Sequence, residues 1–289
     1  MIRFKSFSSG SCGNCSFLGS DEGGGVLIDA GVSWRTFFKA FTLDSLDPGR
    51  IGAILITHDH YDHICHLGSF CKRLSVPVIS TETILRAVRR HPYTGPFTGR
   101  ALAIGEWTPV AEGIEALCFP VPHDAAGTVG YAIRLEGRLF VIMTDIGEMT
   151  DEAVALSRQA DTVVIESNYD LQMLIGGTYD FALKMRISRG HGHLSNAACA
   201  DALRRIWHPG LRNVFLCHLS ANNNTPELAL ASARAALEDV GAQLCGDDAP
   251  LSAPLSGEPA GDAPSPHSVP QPLALRILPR GVPTPLFEL

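Results

Sequence analysis

The sequence predicts an α/β fold arranged as a four-layer αββα sandwich, two packed sheets with helices on their outer faces. Three observations lead there. Short β-rich runs, several almost wholly apolar, recur along the chain. Helical segments with clear start signals separate some of these runs. Loops rich in histidine and aspartate follow directly on strand ends, which gathers those side chains at one edge between the sheets.

Strands are expected at Ile2–Phe7, Val26–Ile28, Ala53–Thr57 and Val76–Ile79, then at Ile114–Phe119, Tyr131–Leu135, Leu139–Met143, Thr162–Ile165 and Val214–Cys217. Near-continuous apolar runs such as Leu139–Met143 suit strands covered on both faces. Helices are expected at Ser80–His91, at Thr150–Ala160 and at Ser195–Trp207, where Ser195 is the N-cap. Thr225-Pro226-Glu227 is the clearest start signal: a capping residue, proline at the first helical position, then an acid in the first turn. Strands first, then strands mixed with helices, imply sheets layered between helices.

Residues 1–245 are expected to form one catalytic domain. From Gly246 the texture changes: the 25 residues to Pro270 include 6 Pro, 3 Gly, 4 Ala and 4 Ser and no aromatic. Such a stretch cannot bury enough apolar surface to offset its ordering entropy, so residues 246–270 are expected to be a disordered linker. Apolar character returns at Leu273–Leu278 and Pro285–Leu289, so residues 271–289 are expected to dock back on the catalytic domain.

The chain of 289 residues is 45% hydrophobic and 18% charged, the profile of a globular protein with a sizeable core. The N-terminus carries Arg3 and Lys5 with no apolar stretch after them, which argues against a secretory signal. No run approaches the roughly 18 apolar residues of a membrane span, so a cytoplasmic protein without membrane attachment is expected. Eight scattered cysteines then read as reduced thiols, mostly packing residues. A net charge of −7 is wrong for a protein that coats nucleic acid non-specifically. It leaves room for an enzyme whose positive charge is local and supplied in part by metal ions. Two basic stretches, Arg86/Arg89/Arg90 and Lys184/Arg186/Arg189, read equally well as solvated faces or as guides for a polyanion.

The chemistry concentrates after the strand at Ala53–Thr57, where His58, His60, Asp62 and His63 fall within six positions. On a tight loop past a buried strand these side chains converge on a small volume. Imidazole and carboxylate without thiolate suit zinc, manganese or iron in an open site rather than a closed structural one. Taken alone, His123 reads as a loop histidine and Asp145 as a turn residue. Both, like His218, lie at or just beyond strand ends.

The run T-H-D-H-Y-D-H resembles the HxHxDH signature of the metallo-β-lactamase superfamily. Further motifs follow in order: S-S-G-S-C-G-N (Ser8–Asn14), L-I-D-A-G (Leu27–Gly31), P-H-D-A (Pro122–Ala125), T-D-I-G (Thr144–Gly147), E-S-N-Y-D (Glu166–Asp170), G-H-L-S-N (Gly192–Asn196) and H-L-S-A-N-N-N-T-P (His218–Pro226). Together they look like the YycJ/WalJ-type subfamily, described as bacterial exodeoxyribonucleases. The resemblance implies the metallo-β-lactamase fold and two divalent metal ions, Zn2+ or Mn2+. It assigns His58, His60 and His123 to the first ion, Asp62, His63 and His218 to the second, and Asp145 to a bridge between them. It further implies DNA rather than RNA as substrate, cut by a 5′–3′ exodeoxyribonuclease.

Two such ions, about 3.5–4 Å apart, can hold a bridging hydroxide for in-line attack on phosphorus. Asp62 and Asp145 are then the catalytic carboxylates. His193, just ahead of the helix capped by Ser195, is expected to act on the phosphate or the leaving group; a capping or packing role is the plain alternative. Ser195, Asn14 and Asn168 are expected near substrate, although a turn after the first strand explains Asn14 equally well. His191 fits no ligand role, and His66 stands close enough to the signature to compete for a metal. Two other classes stay open: a thioester or lactone hydrolase of the glyoxalase II type, and a non-enzymatic regulatory protein. The first needs a helical C-terminal substrate domain, whereas one helix and a polar linker follow His218. The second would be marked by a missing ligand, and all seven are present.

Overall fold

The computed structural model describes residues 1–245 and 272–289; the expected linker at 246–270 lies outside the described residues. Among the described residues, fourteen strands form two seven-stranded mixed sheets. In the first, the order is Phe287–Glu288 (β14), Ile2–Ser8 (β1), Cys15–Ser20 (β2), Gly25–Ile28 (β3), Ile51–Leu55 (β4), Val78–Ser80 (β5) and Gly99–Ala101 (β6). In the second it is Ala274–Ile277 (β13), Asn213–Cys217 (β12), Thr162–Glu166 (β11), Arg138–Met143 (β10), Val129–Leu135 (β9), Ile114–Pro120 (β8) and Thr108–Ala111 (β7).

The second sheet shows why its strands read as apolar runs. Phe140 and Ile142 of β10 join the core shared with the first sheet, while Val141 and Met143 join a second core under helices. In β12 the same alternation sends Phe215 and Cys217 inward and Val214 and Leu216 outward. Both faces are covered, so period-2 patterning vanishes into hydrophobicity. Each fully buried side chain of this kind stabilises by about 1.5–3 kcal/mol.

The outer layers follow the sequence signals. On the first sheet lie Trp34–Leu43 (α1), Tyr61–Ile64 (α2), Leu67–Leu74 (α3) and Glu82–Val88 (α4). Asp151–Ser157 (α5), Asn196–Ile206 (α8) and Pro226–Asp239 (α9) cover the second. Leu171–Gly176 (α6) and Phe181–Ser188 (α7) run instead over the open edge, and α7 buries no residue. Thr150, Ser195 and Thr225 cap α5, α8 and α9 through their hydroxyls. The expected helix at Ser80–His91 is shorter, capped by Thr81 and ending at Val88.

The helix α1 was not expected from the sequence. Its run of Trp, Phe and Thr is β-prone by propensity. Ser33 caps it, and Phe37, Ala40 and Phe41 bury one face against Phe7, Phe17 and Phe70. Tertiary packing therefore overrides local preference. The last segment joins both sheets: β13 pairs parallel with β12, and β14 pairs antiparallel with β1. All eight cysteines are free, and no helix among the described residues is long and apolar enough to cross a membrane.

Strands β8, β10, β11 and β12 point the same way, since β8 and β10 both run antiparallel to β9 while β11 and β12 continue parallel to β10. Their C-terminal ends deliver His123, Asp145, Glu166 and His218 to one edge of the sandwich. The end of β4 brings the His58–His63 loop to meet them, where open α/β sheets place ligands.

Candidate metal centre

Beyond β4 the chain stays buried through Thr57 and His58, then turns into the single-turn helix α2 at His60. That turn places Asp62 and His63 back toward His58. Four interlocking clusters result among the described residues: His58/His60/His123, Asp62/His63/His218, His58/His63/Asp145 and Asp145/Glu166/His193/His218. Within each, one donor atom per residue lies within 4.8 Å of the others. All seven residues expected as ligands are thus brought together, with the rings of His58 and His123 only 5.0 Å apart. Asp145 reaches both sides. Its Oδ2 is 3.1 Å from His63 Nε2, and its Oδ1 is 3.3 Å from His218 Nδ1 and 3.8 Å from His123 Nε2.

Neighbours on the far side of each ring fix which nitrogen faces the centre. His63 Nδ1 donates to Asp29 Oδ2 at 2.7 Å, and His123 Nδ1 donates to the Gly192 carbonyl at 2.7 Å. His58 Nδ1 meets Thr57 Oγ1 at 3.0 Å, and that hydroxyl in turn donates to Asp29. His218 Nδ1 donates to Glu166 Oε1 at 2.8 Å. Four imidazoles therefore present Nε2 inward, the outer-partner arrangement that orients metal-binding histidines. Gly31 belongs to the same device, because a Cβ there would overlap the Asp62 carbonyl oxygen.

Glu166 is fully buried and accepts four hydrogen bonds. They come from His193 Nδ1 at 2.7 Å, His218 Nδ1 at 2.8 Å, Ile146 N at 3.0 Å and Leu194 N at 3.1 Å. A carboxylate has about four lone-pair sites, so none is left for a cation. Glu166 is a positioning residue that holds two imidazoles, His218 and His193, on one oxygen.

Charge balance explains the titration of the cluster. Burial pushes His63 and His218 down, but the surrounding carboxylates win: Asp145 and Asp29 hold His63 well above its ordinary value, and Asp145, Asp62 and Glu166 raise His218 to about 10. Burial pushes Asp62 and Asp145 up, and the histidines overcome it, bringing Asp62 to about 2 and Asp145 well below its usual range. At His58 burial, reinforced by the neighbouring His63, outweighs Asp145 and holds the ring well below the imidazole range.

The residues fit divalent cations. His58 Nε2, His218 Nε2 and Asp145 Oδ2 are buried without a hydrogen-bond partner among the described residues. Leaving such atoms unsatisfied is costly, and cations held by these clusters would satisfy them. The donors are nitrogen and oxygen only, as an open, non-structural site requires.

The centre floors a cavity of about 220 Å³ whose lining includes His60, Asp62, Asp145, His193 and His218, with Ser11, Asn168, Tyr179, Arg186 and Ser220 around them. His193 keeps its ring at this surface with Nδ1 committed to Glu166, so Nε2 is the atom available to a substrate. Asn168 also lines the cavity, but its Nδ2 donates to the His218 carbonyl at 2.8 Å, clamping a residue whose φ is 53°. Asn14 is buried and spends its amide on Asp62, 3.1 Å away, and on the Gly10 backbone. Ser195 Oγ accepts from Ala198 N at 3.1 Å as the α8 cap. His66 stands at the start of α3 outside every cluster, and His191 is exposed.

Residues 25–218 match the family model described as the beta-lactamase superfamily domain. The chain belongs to the beta-lactamase superfamily. This superfamily member is 32% identical over 241 residues to the exodeoxyribonuclease YycJ of Bacillus anthracis, covering 83% of this chain and 90% of the relative. It is also 32% identical over 230 residues to the exodeoxyribonuclease WalJ of Streptococcus pneumoniae, covering 79% and 85%. Among solved structures it shares its fold with the metallo-beta-lactamase fold protein YhfI of Bacillus subtilis, with a TM-score of 0.65, 13% identity and coverage of 98% and 99%.

Sequence reasoning gave no role to Glu166, Asp29, Thr57 or Asp124. Glu166 and Asp29 stood inside quoted motifs, E-S-N-Y-D and L-I-D-A-G. What was missing was the parallel pairing of β11 between β10 and β12, and of β3 beside β4, which turns those acids toward the histidines.

Proposed function

We propose that the protein is a dinuclear-metal phosphodiesterase acting on DNA in the cytoplasm, a 5′–3′ exodeoxyribonuclease. The observation that carries this reading is the joining of two histidine-rich donor sets through one carboxylate, Asp145, on the floor of an open polar cavity. His58, His60 and His123 would hold one cation and Asp62, His63 and His218 the other, with Asp145 serving both. Zinc or manganese suits these donors. When bound, such a pair supplies a water ionised near neutral pH and offsets charge in an in-line phosphoryl transition state.

His193 is the residue placed for proton transfer. Glu166 fixes its Nδ1, so Nε2 can hold a proton beside the leaving oxygen of a substrate in the cavity. Asn168 and Ser9 keep the strained His218 backbone in place, through the His218 carbonyl and N–H respectively. The similarity to two exodeoxyribonucleases supports DNA over RNA. After His218 the described chain adds α9, β13 and β14 and no further helical layer over the cavity, which favours a polymer substrate over a small thioester.

The test uses metal-reconstituted protein on end-labelled single- and double-stranded DNA and RNA, beside a thioester. DNA should be shortened from its 5′ end. His193→Ala should retain its metals and lose roughly 10²–10⁴-fold in rate on DNA, the usual weight of general acid help. A p-nitrophenyl phosphodiester, whose leaving group needs no proton, should lose less. Ready thioester cleavage with every nucleic acid left intact would remove the phosphodiesterase reading.

A further inference from the structure

The structure leaves two arginines at opposite sides of the cavity, and neither belongs to the metal centre. Arg186, on α7, lines the cavity and is exposed. Its Nε donates to Asp124 Oδ2, and Asp124 Oδ1 lies 3.4 Å from His123 Nε2, on the side of His58, His60 and His123. The two terminal nitrogens of Arg186 carry no hydrogen bond among the described residues. Arg280 comes from the C-terminal segment and is half-buried. Its Nη1 donates at 2.9 Å to Ser11 Oγ, and Ser11 lines the cavity.

This second placement is built rather than incidental. Ser9 N donates to the Pro279 carbonyl at 3.0 Å, and Gly281 N donates to Ser8 Oγ at 2.9 Å, so both neighbours of Arg280 are pinned to the first loop. Gly10 has a φ of 146°, and a Cβ there would stand 2.8 Å from Arg280 Cγ. The same loop carries Asn14 against Asp62 and Ser9 against the His218 N–H, which sets Arg280 on the side of Asp62, His63 and His218. Three of the other cations singled out in the sequence are spent elsewhere. Lys184 Nζ donates to the carbonyls of Ile175 and Gly177, Arg86 pairs with Glu82, and Arg89 lies over Phe97.

The geometry points to a strand path across the cavity: one phosphate of a bound DNA strand rests on Arg280 beside Ser11, another rests on Arg186, and the scissile phosphate lies between them above Asp145. This path rests on the phosphodiesterase reading and gives it an axis. In a protein of net charge −7, local guanidinium pairs of this kind supply the backbone recognition that overall charge does not.

The experiment measures binding of a fluorescent phosphorothioate oligonucleotide to the metal-loaded protein by anisotropy over a salt series. Arg186→Gln and Arg280→Gln keep the side-chain stems, and metal content and melting curves confirm that each variant is folded and loaded. Each should bind about tenfold or more weakly, the loss of one charge-assisted contact. Each should also flatten the log–log salt slope by about 0.7 on single strands or about 0.9 on duplex. Arg280→Lys should retain the slope, and Gly10→Ala, which displaces the Arg280 stem, should mimic Arg280→Gln. A wild type that cuts DNA while both Gln variants bind with its affinity and slope overturns the path alone. A wild type that neither binds nor cuts DNA overturns the path and the phosphodiesterase reading together.

Discussion

The two halves of the metal centre are assembled by opposite means. His58, His60, Asp62 and His63 come from six consecutive positions on one loop, held by Asp29 and Thr57 just behind them. His123, Asp145, His193 and His218 come from four separate connections, and a single buried carboxylate, Glu166, ties two of them together. The contiguous half needs one strand end and one helical turn. The dispersed half needs β10, β11 and β12 in register. Local geometry can therefore build half a site, while the other half exists only once the second sheet has formed.

Removing Asp145, which joins the His58/His60/His123 donor set to the Asp62/His63/His218 set, should have the largest effect. Asp145→Ala is expected to lose both ions by elemental analysis, whereas His218→Ala should lose one and keep the ion at His58, His60 and His123. Two ions retained in Asp145→Ala would show that the two donor sets bind independently.

The positioning carboxylates sharpen the contrast. Glu166→Gln and Asp29→Asn should each weaken metal binding about 10–100-fold, the usual cost of losing an outer partner of a ligand. At saturating metal, Asp29→Asn should recover its rate, while Glu166→Gln should stay slow because His193 is also released. Equal recovery in a metal titration of activity would mean that Glu166 serves His218 alone.

A smaller effect concerns protons. With His63 and His218 both raised, the metal-free centre binds extra protons at neutral pH, and cations must displace them. Metal affinity should therefore climb with pH up to about 10, the raised value of His218. Calorimetry in buffers of different ionisation enthalpy should register proton release. For the same reason the metal-free protein should be stabilised below pH 6.5 and lose that contribution as pH rises through about 10, visible in its melting temperature. Metal binding with no proton release would contradict the charge balance drawn for His63 and His218.

What the sequence disclosed follows the same division. Strands covered on both faces announced themselves, and so did helices with hydroxyl caps at Thr150, Ser195 and Thr225. The histidine loop was legible because its residues are neighbours in the chain. Glu166 was not, because its role is defined by four donors from three separate connections. The helix α1 was hidden by aromatic residues that favour strands in isolation, and α7 by having no buried face. Lys184 could be read as a guide for a polyanion until the fold brought the carbonyls of Ile175 and Gly177, at the end of α6, to its ammonium.

The C-terminal segment adds one strand to each sheet and presents Arg280 between them, so its attachment is by strand pairing at two open edges. Residues 272–289 should therefore behave as a detachable peptide: supplied in trans to a protein ending at residue 245, a synthetic version should dock and complete the sandwich. Position 280 then becomes open to chemical synthesis, where citrulline or a homologated guanidine could be installed beside Ser11.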